Sequence, residues 1–425
     1  MGVRVVSGDQ TGYGYTEELT HESLRKAAAT AAAIAAGPAK ASPVAFAVAR
    51  DIPRRYRLAR PWEAVRIDDM LPLLRSVERR AFAMDVRIKK VISSLKEEHG
   101  AILVADSNGR IVCDLQPSTS LRIWCTAEHR GRREENYGAL AGRADMSLYS
   151  AEKVARMVDE TVRRTVVLFE ASEAPSGEMP VVMAAGASGL LLHEAIGHGM
   201  EADFNRKNIS VYADKMGKRI ARTFVTVVDD GMIAGALGAI NVDDESNIAG
   251  HTVLVEEGKL ASYLHDRISA AHYGVAPTGN GRRESYRFPP LPRMRATYML
   301  DGPHEREEVI RSVRRGIYCE TLTSGQVSVG VGDFTFFVKN AHLIEDGELT
   351  RPIKNVNILG NGPHVLAQLD MVADDLEIYE GSSTCVKAGQ TVPVSLGLPT
   401  VRIPRMTVAG GTSSVGDASL GGFIE

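Results

Sequence analysis

The sequence predicts an α+β fold: an N-terminal α/β portion, then a mostly antiparallel, β-rich C-terminal domain that carries a helix with a His-Glu-x-x-x-His pattern. Three observations lead there. Helical and strand patterning alternate up to about residue 170. Beyond it, short apolar runs recur between turn signals at Asp229-Asp230-Gly231, Glu256-Glu257-Gly258 and Glu345-Asp346-Gly347. Between the two regimes lies Ala171 to Pro180, whose Pro175, Gly177 and Pro180 mark a boundary. The expected segments are 1–60, 61–170 and 171–425.

Met1 to Tyr15 reads as a strand pair, with Val3, Val5 and Val6 before a Gly8-Asp9 turn and Gly12 to Tyr15 after it. Thr20 or Ser23 caps an alanine-rich helix, Ala27 to Ala36, closed by Gly37. Alanine favours the helix but buries little side chain, so this helix is expected to pack closely on a sheet. Gly37 to Arg60, with Pro38, Pro43 and Pro53, is a connection. Asp68 or Asp69 caps a helix to about Met84, with Met70, Leu73, Leu74, Val77 and Ala81 on one side. Val86 to Thr126 reads as antiparallel sheet. Ala101 to Ala105 and Ile111 to Leu115 flank an Asn108-Gly109 hairpin turn, and Leu121 to Cys125 is a further strand. Arg130 to Glu135, of mixed charge, reads as a solvated loop. Ser150 caps a helix to about Val167, with Val154, Val158 and Val162 at four-residue spacing. Val181 to Ala184, Thr223 to Val228, His251 to Val255, Phe334 to Val338 and Arg351 to Leu359 read as strands. Helices are expected near Glu305 to Arg315 and His364 to Met371, and a Gly-rich tail runs from Ala409 to Ser414.

Length and composition bound the function. The chain has 425 residues, 44% hydrophobic and 24% charged, ordinary for a globular protein with a large core. A net charge of -3 gives no nucleic-acid footprint. No run approaches the roughly 18 apolar residues of a membrane span. Four cysteines, Cys113, Cys125, Cys319 and Cys385, are too few for a disulfide scaffold, and a cytoplasmic compartment is expected. Cys113 and Cys125 read as buried thiols.

Chemistry concentrates in Leu191 to Phe204. His193 stands beside Glu194, and His198 follows five residues after the first histidine. Two imidazoles and a carboxylate this close form a zinc-hydrolase pattern, in which His binds the metal and Glu takes a proton from water. The usual spacing is four. Five apart on an ideal α-helix turns the rings about 140° from each other. A π-type turn would restore one face, and Gly197 is where such a distortion costs least. Two ordinary histidines on an amphipathic helix fit the spacing as well. A catalytic zinc site needs a third protein ligand. The other nine histidines sit in no comparable setting. Cys385 lies in a polar, Gly-flanked loop, Gly381 to Gln390, where Lys387 would favour a thiolate.

Several motifs in order carry a family likeness. They are His193-Glu-Ala-Ile-Gly-His198-Gly-Met-Glu201-Ala-Asp203-Phe, Asp214-Lys-Met-Gly-Lys218, Asn241-Val-Asp-Asp244, Ala276-Pro-Thr-Gly-Asn-Gly-Arg-Arg-Glu-Ser285, Gly360-Asn-Gly-Pro363 and Cys385-Val-Lys-Ala-Gly-Gln390. Together they resemble the TldD/PmbA family of metalloproteases along the whole chain, most specifically from Val181 to Thr400. The intact His-Glu-x-x-x-His pattern is similar to the TldD side, since the PmbA (TldE) type typically lacks it. The resemblance implies His193, His198 and Cys385 as Zn2+ ligands and Glu194 as general base. It implies a homodimer, or a heterodimer with a PmbA-like (TldE) subunit, that encloses the site and acts on unfolded or short peptides. It also implies an extra strand and helix ahead of the Gly-Val-Arg run, which here starts at Gly2.

The expected function is therefore a zinc peptidase of broad specificity, with Glu194 moving the proton from water to the leaving amine. Glu201 and Asp203 are candidates for orienting the histidines, or are plain surface carboxylates. Arg282 and Arg283 are candidates for clamping a substrate carboxylate, or for a structural salt bridge. The rival readings are a non-catalytic peptide-binding or assembly partner of the PmbA type, and a zinc amidohydrolase acting on a small molecule.

Overall fold

The computed structural model describes residues 1–8, 10–35, 44–56 and 58–411. Asp9 of the first turn, Gly37, Pro38 and Pro43 of the connection, and the tail beyond Gly411 lie outside the described residues.

The N-terminal hairpin pairs Gly2–Ser7 with Gln10–Tyr15, and helix His21–Ile34 lies across it. Thr20 caps the helix by accepting from the Ser23 amide. The alanines and the glycines of the hairpin explain each other. A Cβ on Gly12 would overlap the Ala31 carbonyl, and one on Gly14 the Ala27 carbonyl. The helix backbone therefore lies directly on the strand, an approach that only small side chains permit.

The next helix, Ile67–Met84, starts one residue before the predicted cap. Arg66 is the N-cap, and Asp69, three residues on, accepts the Arg66 amide at 2.9 Å. Val77 and Ala81 are buried, as are Val154, Val158 and Val162 of helix Ala151–Val167, which Ser150 caps. Both helices share one core with Leu121, Ile123 and Cys125 of a long hairpin, Ile88–Ala105 with Arg110–His129. Three differences from the sequence pattern stand out. The hairpin strands run for 18 and 20 residues, because polar Lys96 to Gly100 and Pro117 interrupt the apolar alternation without ending the ladder. The turn spans Asp106 to Gly109, with the Asp106 carboxylate accepting from the Asn108 and Arg110 amides. The charged run is a turn only at Arg130-Gly131, and Arg132–Gly142 is a third strand beside Arg110–His129. Cys125 is buried as predicted, while Cys113 is exposed on the far part of the hairpin, beyond the helices.

The C-terminal region is β-rich and mostly antiparallel. Strands Arg315–Val327, Gly177–Met183, Val401–Gly410, Val356–Asn361 and Asp333–Glu345 neighbour one another in that order, and the last pairs back with the first. Val181, Met183, Ile317, Phe336, Ile358 and Ile403 belong to the core of this closed circuit. Predicted Arg351 to Leu359 is two strands, broken where Asn355 takes a left-handed φ of 56°. A second sheet contains Val227–Asp230, Ala296–Met299 and Gln390–Leu398. Strand Ser383–Lys387 pairs with Gln390–Leu398 and, among the described residues, with no other strand.

Two of the three turn signals hold. Glu257-Gly258 and Asp346-Gly347 both take positive φ. Asp229-Asp230 does not turn: it ends a strand. Asp229 is fully buried because Arg295, also fully buried, donates its amide and its Nε to the carboxylate at 2.8 and 2.7 Å. Asn280 and Thr297 each donate at 2.8 Å. Among the described residues no helix is long and apolar enough to cross a membrane.

Candidate metal centre

Strand Gly177–Met183 leads into a turn at Gly186, where φ is 79°, and then into Leu190–Leu192, a single helical turn with Leu191 and Leu192 buried. The next five residues, His193–Gly197, form a π-helical turn, in which the His198 amide bonds the His193 carbonyl. This i to i+5 hydrogen bond widens the helix by one residue and brings the two histidines onto one face. Their ring centroids lie 5.1 Å apart with the planes at 80°. Gly197 makes room for a neighbour rather than supplying backbone freedom. Its φ is an ordinary helical -59°, but a Cβ there would overlap the Met294 sulfur.

Cys385, on strand Ser383–Lys387, reaches this face from the second sheet. Its Sγ lies 3.4 Å from His198 Nε2, and one ligand atom from each of His193, His198 and Cys385 lies within 4.8 Å of the others. Ligands at about 2.0–2.3 Å from a tetrahedral ion stand about 3.5 Å from each other, so a small inward adjustment would accommodate one. All three residues are buried. Both ring nitrogens of His193 are buried and, among the described residues, without a hydrogen-bond partner, an arrangement that a ligating ion would satisfy.

The electrostatics favour a cation. Burial alone raises the Cys385 thiol, but the adjacent imidazoles of His193 and His198 outweigh it and bring the pKa down to about 5. Burial likewise opposes a proton on His198. The Glu201 carboxylate and the Cys385 thiol outweigh it and hold the ring well above its ordinary pKa. The donor set thus carries a proton where a metal cation would neutralise the same thiolate.

Glu194 is half-buried, with Oε2 3.9 Å from His198 Nε2, and belongs to the same turn as the histidines without being packed away like them. Glu201 is fully buried, and its Oε2 lies 2.9 Å from His198 Nδ1. Burial raises the Glu201 carboxyl, but Lys387, His198 and Arg293 outweigh it and lower the pKa to about 2. Asp203 stands one link further out, paired with Lys387 at 2.7 Å.

One expectation is corrected. Lys387 does not act on the thiol: its ammonium is taken up by Asp203, Glu201 and the Pro292 carbonyl, and the two histidines shift Cys385 instead. Of the two readings of Arg282 and Arg283, their contacts follow the structural one. Arg282 is buried, with one terminal nitrogen on the Met294 carbonyl at 2.5 Å and the other on the Pro393 carbonyl at 2.7 Å. Arg283 donates to the Tyr13 hydroxyl at 2.8 Å and lies 3.6 Å from Asp244, tying the N-terminal hairpin to the C-terminal region. Arg293, unremarked in the sequence, is fully buried and donates to the Cys385 carbonyl at 2.5 Å. Its sequence neighbours, Pro292 and Met294, give no sign of this role.

Comparison with known proteins agrees with the motifs. PmbA/TldA metallopeptidase family profiles match at residues 1–35 (domain 1), 60–169 (central domain) and 176–410 (C-terminal domain). A Haemophilus influenzae protein named a metalloprotease TldD homolog is 38% identical over 417 residues, covering 96% of this chain and 86% of that one. A Saccharolobus solfataricus protein named a zinc metalloprotease TldD homolog is 33% identical over 249 residues, covering 58% of this chain and 55% of that one. Among solved structures, TldE from Thermococcus kodakarensis shares the fold with a TM-score of 0.73 at 19% identity, covering 96% of this chain and 89% of that one. The chain is a member of the PmbA/TldA metallopeptidase family.

Proposed function

We propose that the protein is a zinc-dependent peptidase of the TldD type, acting on unfolded or short peptides. One observation carries the reading: a buried His-His-Cys donor set, His193, His198 and Cys385, gathered by a π turn, in which His193 has no hydrogen-bond partner among the described residues. Two nitrogens and a thiolate suit zinc among common divalent ions, and the Saccharolobus relative is named for that metal. When bound, the cation supplies Lewis acidity, polarising a peptide carbonyl and making water acidic near neutral pH. Glu194 accepts the proton as water adds to the carbonyl carbon, and returns it to the amine as the C–N bond breaks. Glu201 keeps the His198 Nδ1–H, so that Nε2 presents its lone pair to the ion.

Metal analysis tests the donor set. Wild-type protein is expected to hold zinc in near-stoichiometric amount, and Cys385→Ser to lose most of it. Full stoichiometry in the variant would remove Cys385 from the site.

The edge position of Ser383–Lys387 supports an extended substrate that adds as a strand through main-chain hydrogen bonds, with weak side-chain preference. A second subunit, a copy of this chain or a TldE-like partner, would enclose the site and exclude folded proteins; the fold shared with TldE supports the latter. An unfolded polypeptide is therefore expected to be cleaved, and the same chain folded and cross-linked to survive. Equal cleavage of both contradicts an enclosed site. Cleavage of neither, with zinc bound and a partner present, favours the small-molecule amidohydrolase.

A further inference from the structure

Glu201 is fully buried, and among the described residues its Oε1 has no hydrogen-bond partner, so Oε2 carries its polar contacts. That oxygen is shared. It lies 2.9 Å from His198 Nδ1 and 3.1 Å from the Lys387 ammonium. Lys387 is itself buried and fully engaged: it donates to Asp203 at 2.7 Å and to the Pro292 carbonyl at 3.0 Å, and lies 4.2 Å from the centre of the Phe204 ring. Residues two apart on a strand face the same way, so Cys385 and Lys387 both point from strand Ser383–Lys387 toward the histidine turn. A closed circuit results, from the Cys385 thiol to His198, to Glu201, to Lys387, and back along two residues of backbone to Cys385.

We propose that Lys387 is a positioning residue of the metal centre: by gripping Glu201 and Asp203 it fixes, in one register, the thiol strand and the orientation of the His198 ring. Both ends of the grip matter. Pairing with the ammonium holds the Glu201 carboxylate where it accepts from His198 Nδ1, which aims Nε2 at the ion. The same grip sets the distance between the strand that carries Cys385 and the turn that carries the imidazoles, two segments 187 residues apart in the chain. The other role open to Lys387 is neutralisation of two buried carboxylates, a matter of stability alone. The inference rests on the zinc site proposed above.

Zinc affinity by chelator competition, with the visible spectrum of the Co2+-loaded protein, separates the two roles. Lys387→Met is expected to weaken zinc binding by about 10–100-fold, the usual cost of losing an outer-shell partner. It also leaves Asp203 without its cation and Glu201 paired with His198 alone, so the double variant Lys387→Met/Asp203→Asn, which removes one charge of each sign, accompanies it. The double variant is expected to melt near wild type, to bind zinc as weakly as the single one, and to show shifted Co2+ bands. Wild-type zinc affinity and an unchanged Co2+ spectrum in either folded variant would overturn the proposal. So would failure of both variants to fold, which would make Lys387 a folding residue. If the wild-type protein itself takes up no zinc, the metal reading falls first and this inference with it.

Discussion

Glu194→Gln is expected to keep its zinc and to lose peptide hydrolysis by about 10²–10⁴-fold, the usual contribution of a general base. The geometry separates the two properties. The candidate donor atoms belong to His193, His198 and Cys385, all buried, whereas Glu194 is half-buried, with its Oε2 3.9 Å from His198 Nε2. Glutamine preserves shape and hydrogen bonding but accepts no proton at working pH. Metal content and turnover of an unstructured peptide, measured on one preparation, check the result. Near-normal turnover would move the base elsewhere, and zinc lost in step with activity would make Glu194 a ligand.

Asp229→Asn is expected to destabilise the protein by about 3–5 kcal/mol, because it strands a fully buried guanidinium. Arg295 donates to Asp229 through its amide and Nε, and also reaches the Asp229 carbonyl and the Thr252 hydroxyl, so it cannot swing out to water without breaking the second sheet. The acid dependence has a definite sign. Burial raises the Asp229 carboxyl, but Arg295, with Asn280 assisting, lowers it below its ordinary 3.8. The stability it contributes is therefore full above that value and is lost as pH falls through the folded pKa. Denaturant midpoints across pH measure both. A variant within 1 kcal/mol of wild type at neutral pH would show that water or a neighbour replaces the lost charge.

Local chemistry was legible in the sequence where one residue decided it. Ser150 and Thr20 cap their helices, the Glu257-Gly258 and Asp346-Gly347 turns form, and the five-residue histidine spacing, read as one metal site, called for the widened turn that His193–Gly197 adopts. Partners distant in sequence were not legible. Asp229-Asp230-Gly231 has the composition of a turn, and only Arg295, from another strand, makes it a buried strand end. Arg282 and Arg283 look free in a Gly-rich loop because the carbonyls and carboxylate they meet come from residues 294, 393 and 244. Lys387 sits two residues from the thiol in sequence, yet its carboxylate partners belong to the histidine segment.

The arrangement of Cys385 also bears on timing during synthesis. The His193–His198 turn leaves the ribosome long before the thiol, which follows His198 by 187 residues. The thiol strand pairs with Gln390–Leu398, and that strand joins the second sheet through its parallel pairing with Ala296–Met299. A nascent chain therefore carries the two histidines and Glu194 without the thiol until nearly all of the described sheet has emerged. If these residues form the hydrolytic centre, the chain that could be its own first unfolded substrate is kept from it until folding has removed that substrate.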